Sequence, residues 1–153
     1  MKKLSLSVIG MSVVAAFALP VQAANQGQIE LRGSVAQNCG VVVSTLAKAS
    51  ALSITGGESN ATVGTVQETC NVANGYTVTL GSANAGKLKN GSSEVAFSVA
   101  YDNATGAISS GMTADRTSAQ FNKSADVKVS FTGFANAIAG TYADDLTITI
   151  AAK

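Results

Sequence analysis

The stretch GQIELRGSVAQNC, residues 27–39, alternates apolar and polar side chains. Ile29, Leu31 and Val35 share one parity, and charged or polar residues occupy most of the other. A period of two predicts a β-strand with one buried face. Because the first residues of a domain usually fray, a strand at this position raises a question. Either it packs on its own domain, or it packs on another molecule.

The residues before this stretch have the features of a secretory signal peptide. Two lysines open the chain, an apolar run covers residues 4–19, and the small-x-small triplet Val21-Gln22-Ala23 precedes Ala24. We therefore expect a signal peptide over residues 1–23, cleaved between Ala23 and Ala24. A membrane anchor would need about 20 apolar residues and a stop-transfer flank, and this segment has neither. The mature chain is therefore expected to be exported.

The composition favours a β-protein and argues against nucleic acid as a partner. Only 12% of the 153 residues are charged, and the chain contains no His and no Trp. Removing the two signal-peptide lysines leaves 8 basic against 9 acidic residues, a net charge near −1. Gly, Ser, Thr and Val are abundant, as is common in strands and tight turns. The low surface charge indicates a surface that is covered in use.

Cys39 and Cys70 are the only cysteines. An even pair in an exported chain predicts a disulfide bond. In the chain-entropy model, a disulfide bond that closes a loop of this length stabilises the folded state by about 3–4 kcal/mol. The alternative is a metal or redox site, which the lack of histidine and of a C-x-x-C spacing disfavours.

Alternating segments recur along the rest of the chain and predict an antiparallel β-sandwich with immunoglobulin-like topology. The clearest strands are expected at residues 76–80, 95–101, 127–131 and 146–150, and weaker ones at 52–54 and 62–69. The run Val41–Val43 favours a strand buried on both faces. Residues 46–52 or 118–125 could each form one helical turn.

No arrangement of residues supports catalysis. Without histidine, a Ser–His or Cys–His pair is impossible. The acidic doublet Asp144-Asp145 precedes the last expected strand, and adjacent strand residues point to opposite faces. Solvated charges at the strand entry explain this doublet better than a metal or an acid–base role. We therefore expect no enzyme activity, no cofactor and no metal.

Three motifs resemble the pilin subunits that the chaperone–usher route assembles. The first is Gly27-x-Ile29-x-Leu31-x-Gly33-x-Val35 with Cys39 four residues later, which is similar to the N-terminal extension of the type 1 fimbrial major subunit. The second is ETCN, residues 68–71. The third is GTYADDLTITI, residues 140–150, which resembles the closing strand of fimbrial and spore-coat-U-like domains.

The resemblance implies a sandwich that lacks its last strand and polymerises by donor-strand exchange in a surface fimbrium of a Gram-negative bacterium, contributing to cell adhesion. A periplasmic chaperone and an outer-membrane usher would deliver the subunit to its neighbours. Residues 24–36 would form the donor extension and residues 37–153 the pilin domain. The implied donor residues are Gly27, Ile29, Leu31 and Gly33. Inward residues of the first and last strands would line the acceptor groove, and the candidates are Leu146, Ile148 and Ile150.

The chain departs from the family in two respects, and other readings stay open. It ends Ile150-Ala151-Ala152-Lys153, without the aromatic residue that many such pilins carry next to the C-terminus for chaperone recognition. The spacing from Cys39 to Cys70 is also shorter than in the type 1 subunit.

In the main alternative, residues 29–35 form the first strand of a complete sandwich, and the protein is a self-contained secreted binding module. A small hydrolase or inhibitor is a third possibility.

Overall fold

A computed structural model describes residues 26–153. The predicted signal peptide and its cleavage site at Ala23–Ala24 lie outside the described residues. The chain divides into two units, one ending at Ser34 and one covering residues 35–153. The second unit contains every strand of the described chain.

The fold of residues 35–153 is almost entirely β-structure, as the alternating pattern predicts. Its strands, in chain order, are β1 (Cys39–Thr45), β2 (Gly57–Cys70), β3 (Tyr76–Ser82), β4 (Lys87–Asn90), β5 (Ser93–Ala96), β6 (Ser98–Tyr101), β7 (Ala104–Ala107), β8 (Met112–Arg116), β9 (Gln120–Thr132) and β10 (Leu146–Ala152). A single 3₁₀ turn, Ala47–Ser50, lies between β1 and β2. It falls within residues 46–52, where one helical turn is expected.

The strands form two main sheets in which all neighbours are antiparallel. The five-stranded sheet has the order β1-β2-β9-β6-β7, and the three-stranded sheet has the order β10-β3-β8. The hairpin β4–β5 forms a small sheet of its own. Consequently β1 and β10 each lie at the edge of a different sheet. The all-β antiparallel fold predicted from the sequence is therefore confirmed.

The core forms where the apolar parities of the two sheets face each other. Val66 and Val129 from the five-stranded sheet pack in one cluster with Val78 and Leu80 from the three-stranded sheet. Burial of each such side chain contributes about 1.5–3 kcal/mol. The strand positions of opposite parity, such as Thr79, are exposed. Period-two alternation thus specifies which face of each strand is internal.

Four local expectations differ from the structure. Residues 95–101 are not one strand, because the chain leaves β5 at Phe97 and continues in β6 with a different partner. Residues 118–125 form no helical turn, since the long strand β9 begins at Gln120 and pairs with β2. Residues 52–54 form no strand and lie in the connection before β2, whereas residues 62–69 lie within β2.

The fourth difference concerns Val41–Val43, which is not buried on both faces. Strand β1 pairs only with β2 and is the edge of its sheet. Val42 lies opposite Gln67 and is 63% exposed. An apolar run of three residues cannot distinguish a central strand from an edge strand, because both contain the same residue types.

No helix among the described residues combines the length and the hydrophobicity required to cross a bilayer.

Candidate functional site

An open groove of about 650 Å³ runs along the side of the domain where β1 and β10 form the sheet edges. Val43 and Thr45 of β1 line one wall, and Leu146 and Ile148 of β10 line the other. The floor is apolar and is formed by Val63, Leu88, Phe97, Val127, Val129 and Phe131. Residues 49–54 and 140–145 complete the lining, and the second of these segments includes Asp144 and Asp145. Leu88, Phe97 and the three β9 residues of this floor are buried, so the exposed apolar surface of the groove lies at its rim, as at Val43.

Val43 shows that the groove is a gap in the core. It lies opposite Val66 in the register of β1 and β2, and Val66 is completely buried. Residues directly opposite in adjacent antiparallel strands project to the same face. Val43 therefore faces the interior, yet it remains 50% exposed. The missing coverage lies in the space between β1 and β10.

The two strands that border the groove have one unpaired backbone edge each. Within residues 35–153, β1 forms its ladder with β2 and β10 forms its ladder with β3. The remaining N–H and C=O groups of such edges can pair with an added strand. The apolar floor and the unpaired backbone edges of β1 and β10 together make the groove suitable for a strand with alternating apolar side chains.

The predicted acceptor residues are placed as follows. Leu146 and Ile148 line the groove. Ile150 lies further along β10, opposite Val78, and packs partly buried against the core without lining the groove. The first strand was also expected to line the groove, but no residue of β1 and none of the floor was named. Only the inward parity of Val43 could have indicated its role.

The predicted donor residues, Gly27 to Gly33, belong to the first unit of the chain. Residues 26–38 belong to no strand. The side chains of Ile29, Leu31 and Val35 are 85%, 89% and 89% exposed. Glu30 accepts a hydrogen bond from Arg32 Nε at 2.8 Å, so the charged residues of the other parity pair with each other. The expected strand at residues 29–35 is therefore not formed, because alternation requires a partner strand to make a ladder.

The predicted disulfide bond is confirmed. Cys39 and Cys70 lie directly opposite each other at the ends of β1 and β2, with an S–S distance of 2.01 Å. The bond fixes the register of the edge strand β1, which has a neighbour on one side only. This crosslink therefore holds one wall of the groove in position.

Glu68 of β2 is a buried carboxylate near the disulfide, and its burial was not predicted from the sequence. Glu68 is completely buried and accepts four hydrogen bonds. Tyr76 Oη and Arg116 Nε donate to Oε2 at 2.6 and 2.8 Å, while Tyr101 Oη and Arg116 Nη2 donate to Oε1 at 2.5 and 2.7 Å. These residues connect strands of both sheets. The inward parity that Glu68 shares with Val66 and Cys70 is the signal that could have revealed it.

The arginine of this cluster extends the network toward the surface. Arg116 Nη1 lies 2.9 Å from Asp102 Oδ2, and Lys123 Nζ lies 3.3 Å from the same oxygen. The Arg116 guanidinium also lies 5.9 Å from the centre of the Tyr101 ring. Bidentate guanidinium–carboxylate pairing is strong and directional. The cluster therefore ties the two sheets together near the disulfide, away from the Val43–Thr45 end of β1 that lines the groove.

The pKa values in this cluster reflect burial and pairing. Burial by itself raises the pKa of Glu68, but the hydrogen bonds from Arg116, Tyr101 and Tyr76 outweigh it, so the pKa lies below its ordinary value. Burial and the bond to Glu68 raise the pKa of both tyrosines. Glu68 is therefore ionised and both tyrosines are neutral near neutral pH.

We expect the stability of the domain to fall in acid because of Glu68. Its folded pKa lies below the unfolded value of about 4.3, so the unfolded state binds more protons between the two values. The stabilisation that the ionised Glu68 carboxylate provides is complete above about pH 4.3 and is lost as the pH falls through the folded pKa. Unfolding free energies measured from pH 7 to pH 2 should decrease in this range. In Glu68→Gln the same decrease should be smaller, and an unchanged profile would contradict this assignment.

Asp144 has a structural role in a turn. Its carboxylate accepts hydrogen bonds from Ser82 Oγ at 2.6 Å and from the backbone N–H of Asn84 at 2.8 Å. Asp145 is exposed. Among the described residues, no group of three or more His, Cys, Asp or Glu side chains is placed to hold a metal ion. Asp145 is thus the solvated charge expected at the entry to β10, whereas Asp144 is bonded to the turn that follows β3.

No protein-family model, curated protein or solved structure matches this chain. The functional assignment therefore depends on the groove, the exposed segment and the motifs of the sequence.

Proposed function

We propose that this protein is a fibre-forming subunit of the chaperone–usher pilin type. In this proposal the domain is an immunoglobulin-like sandwich that lacks one strand. Residues 27–33 of one copy enter the groove between β1 and β10 of the next copy. The observation that carries the proposal is one chain with an apolar groove between two free strand edges and a separate segment with exposed, alternating apolar side chains.

The backbone geometry supports strand addition in particular. Where the groove separates the Val43–Thr45 end of β1 from the Leu146–Ile148 end of β10, an added strand would pair with the unpaired edge of each. Main-chain hydrogen bonds of this kind provide affinity for almost any extended peptide, and pockets for alternate side chains provide selectivity. A head-to-tail contact of this type does not close on itself and so produces an open filament.

The side chains of the extension fit an apolar groove. Ile29 and Leu31 are two residues apart and so project to the same side of an extended strand. Burial of each contributes about 1.5–3 kcal/mol. Glu30 and Arg32 would then face solvent, where their ion pair costs no desolvation. Gly27 and Gly33 flank the apolar pair and suit places where the groove leaves no room for a side chain.

The same groove would need temporary cover before assembly. An exposed apolar surface promotes non-specific association, so we propose that a periplasmic chaperone occupies the groove and that an outer-membrane usher exchanges it for the next subunit. The predicted signal peptide and the disulfide bond fit export to an oxidising compartment. The fibre would lie on the cell surface and contribute to adhesion.

A self-contained secreted binding module is the second candidate. In that case the groove would bind a ligand, and residues 24–32 would be dispensable. A monomer that melts cooperatively, with the same melting temperature after deletion of residues 24–32, would favour this alternative. The pilin proposal instead requires oligomers that disappear on deletion.

The acceptor wall provides the direct test of the proposal. We expect Ile148→Asp to block acceptance of a strand, because a carboxylate would lie in the apolar groove. Its matched control is Thr149→Asp, which places the same charge on the exposed outer face of β10. Size-exclusion chromatography of the mature protein should show loss of long oligomers only in Ile148→Asp.

Because Ile148→Asp keeps its own extension, it should still cap wild-type oligomers and shorten them in a mixture. This second measurement separates a blocked groove from a misfolded domain. Oligomers of normal length from pure Ile148→Asp would refute the acceptor role of the groove.

A further inference from the structure

The point where the N-terminal extension leaves the domain is held by one asparagine side chain. Asn71 directly follows Cys70 at the end of β2. Its Nδ2 donates to the carbonyl oxygen of Ala36 at 2.8 Å, and its Oδ1 accepts from the backbone N–H of Asn38 at 2.7 Å. Its own backbone N–H donates to the Asn38 carbonyl at 3.1 Å. Three hydrogen bonds therefore lie beside the disulfide at Cys39.

The hydrogen-bond partners of Asn71 are backbone groups of Ala36 and Asn38, which lie outside the sheets. Residues 36–38 belong to no strand, and chain segments in this position ordinarily fray. A side-chain amide is both a donor and an acceptor, so Asn71 can hold a carbonyl and an N–H at the same time. A carboxylate or an alkyl side chain would lose at least one of the two contacts. The clamp is therefore specific to the amide.

We infer that Asn71 is a positioning residue for the donor strand, an inference that rests on the proposed function. Ordering backbone carries an entropic cost. By holding Ala36 and Asn38 before assembly, Asn71 removes part of that cost from the step in which a neighbour takes up residues 27–33. Preordering of a ligand in this way strengthens binding without any new contact at the interface. Asn71 thus acts on donation and not on acceptance.

A one-way assembly assay separates these two roles. The donor chain carries Ile148→Asp and can only donate, whereas the acceptor chain carries Ile29→Asp with Leu31→Asp and can only accept. Asn71→Ala is placed either in the donor or in the acceptor, and heterodimer formation is followed by native mass spectrometry. In the donor it should slow or weaken dimer formation about tenfold, equivalent to about 1.4 kcal/mol. In the acceptor it should have no effect.

Two further variants sharpen the test. Asn71→Asp keeps an acceptor for Asn38 but places a carboxylate oxygen where the amide donated to the Ala36 carbonyl, so in the donor chain its defect should be at least as large as that of Asn71→Ala. Asn74→Ala is the matched control, because Asn74 is an exposed asparagine of the same β2–β3 connection, and it should behave as the parent. Hydrogen exchange at the Asn38 amide should accelerate in Asn71→Ala.

Each other outcome overturns the inference. Equal slowing with Asn71→Ala in either chain would show a general loss of folding, and no slowing in the donor would show that the clamp is irrelevant to donation. Absence of any heterodimer with Asn71 intact would instead refute the proposed function itself, and the inference would fall with it.

Discussion

Replacing Ile29 and Leu31 with aspartate abolishes fibre formation, if the extension is the strand that joins the subunits. The double variant loses the burial of two apolar side chains, about 3–6 kcal/mol together. It also places two carboxylates in an apolar groove, which adds a desolvation penalty. Since about 1.4 kcal/mol corresponds to tenfold in affinity, subunit association should weaken by at least about 100-fold. Electron microscopy and size-exclusion chromatography of the exported protein would measure this loss.

The matched control places the same two charges on the other parity of the segment. Gln28→Asp with Ser34→Asp adds two carboxylates at positions that would face solvent in the neighbour's groove, and this variant should retain fibres. Both side chains mutated in the test variant are exposed in the subunit, so the domain itself should remain folded. Normal fibres from the Ile29→Asp, Leu31→Asp variant would exclude the donor role.

The second large effect is expected at Arg116. Removing this side chain leaves Glu68 buried with only the two tyrosine hydroxyls as partners. Breaking one side of a buried ion pair typically costs about 3–5 kcal/mol, so Arg116→Met should destabilise the domain by an amount in this range. Chemical denaturation, measured in the background of the Ile29→Asp, Leu31→Asp variant to avoid polymerisation, would give the change in unfolding free energy.

Lys123→Met is the control for Arg116. Lys123 pairs with Asp102 at the partly exposed rim of the same network, where an ion pair contributes about 0–1 kcal/mol. A further substitution, Glu68→Leu in the Arg116→Met background, should recover part of the lost stability because it removes the unpaired charge. Equal effects at Arg116 and Lys123 would show that the buried pair is not a major support of the sandwich.

Features of this protein that depend on near neighbours in the chain can be predicted from the sequence, whereas clusters of distant residues cannot. The alternation of Ile29 and Leu31 is visible along the chain, and both side chains are exposed; their donor role is implied by the resemblance and stays a prediction. Glu68 also lies in an alternating segment, but its partners Tyr101 and Arg116 are 33 and 48 residues away. No local pattern specifies such a cluster, since it depends on which strands the fold brings together.

The groove illustrates the same difference. The resemblance and the inward parity of the last strand indicated Leu146, Ile148 and Ile150 as acceptor residues, and the first two line the groove. The first strand was expected to form the opposite wall, but Val43 could be identified there only from the position of β1 at the edge of its sheet. The same sequence run, Val41–Val43, was predicted to be buried because a strand's neighbours are not encoded in its own residues.

The amino-acid sequence alone determined the strand periodicity, the identity of the apolar faces, the disulfide pair and the apolar pattern of the extension. Each of these follows from residue type and spacing of near neighbours in the chain. Tertiary structure decided the sheet order, the position of β1 and β10 at two free edges, the open groove between them, and the Asn71 and Glu68 contacts. These features depend on pairing between residues distant in sequence, which is selected by the packing of the whole core rather than by any single segment.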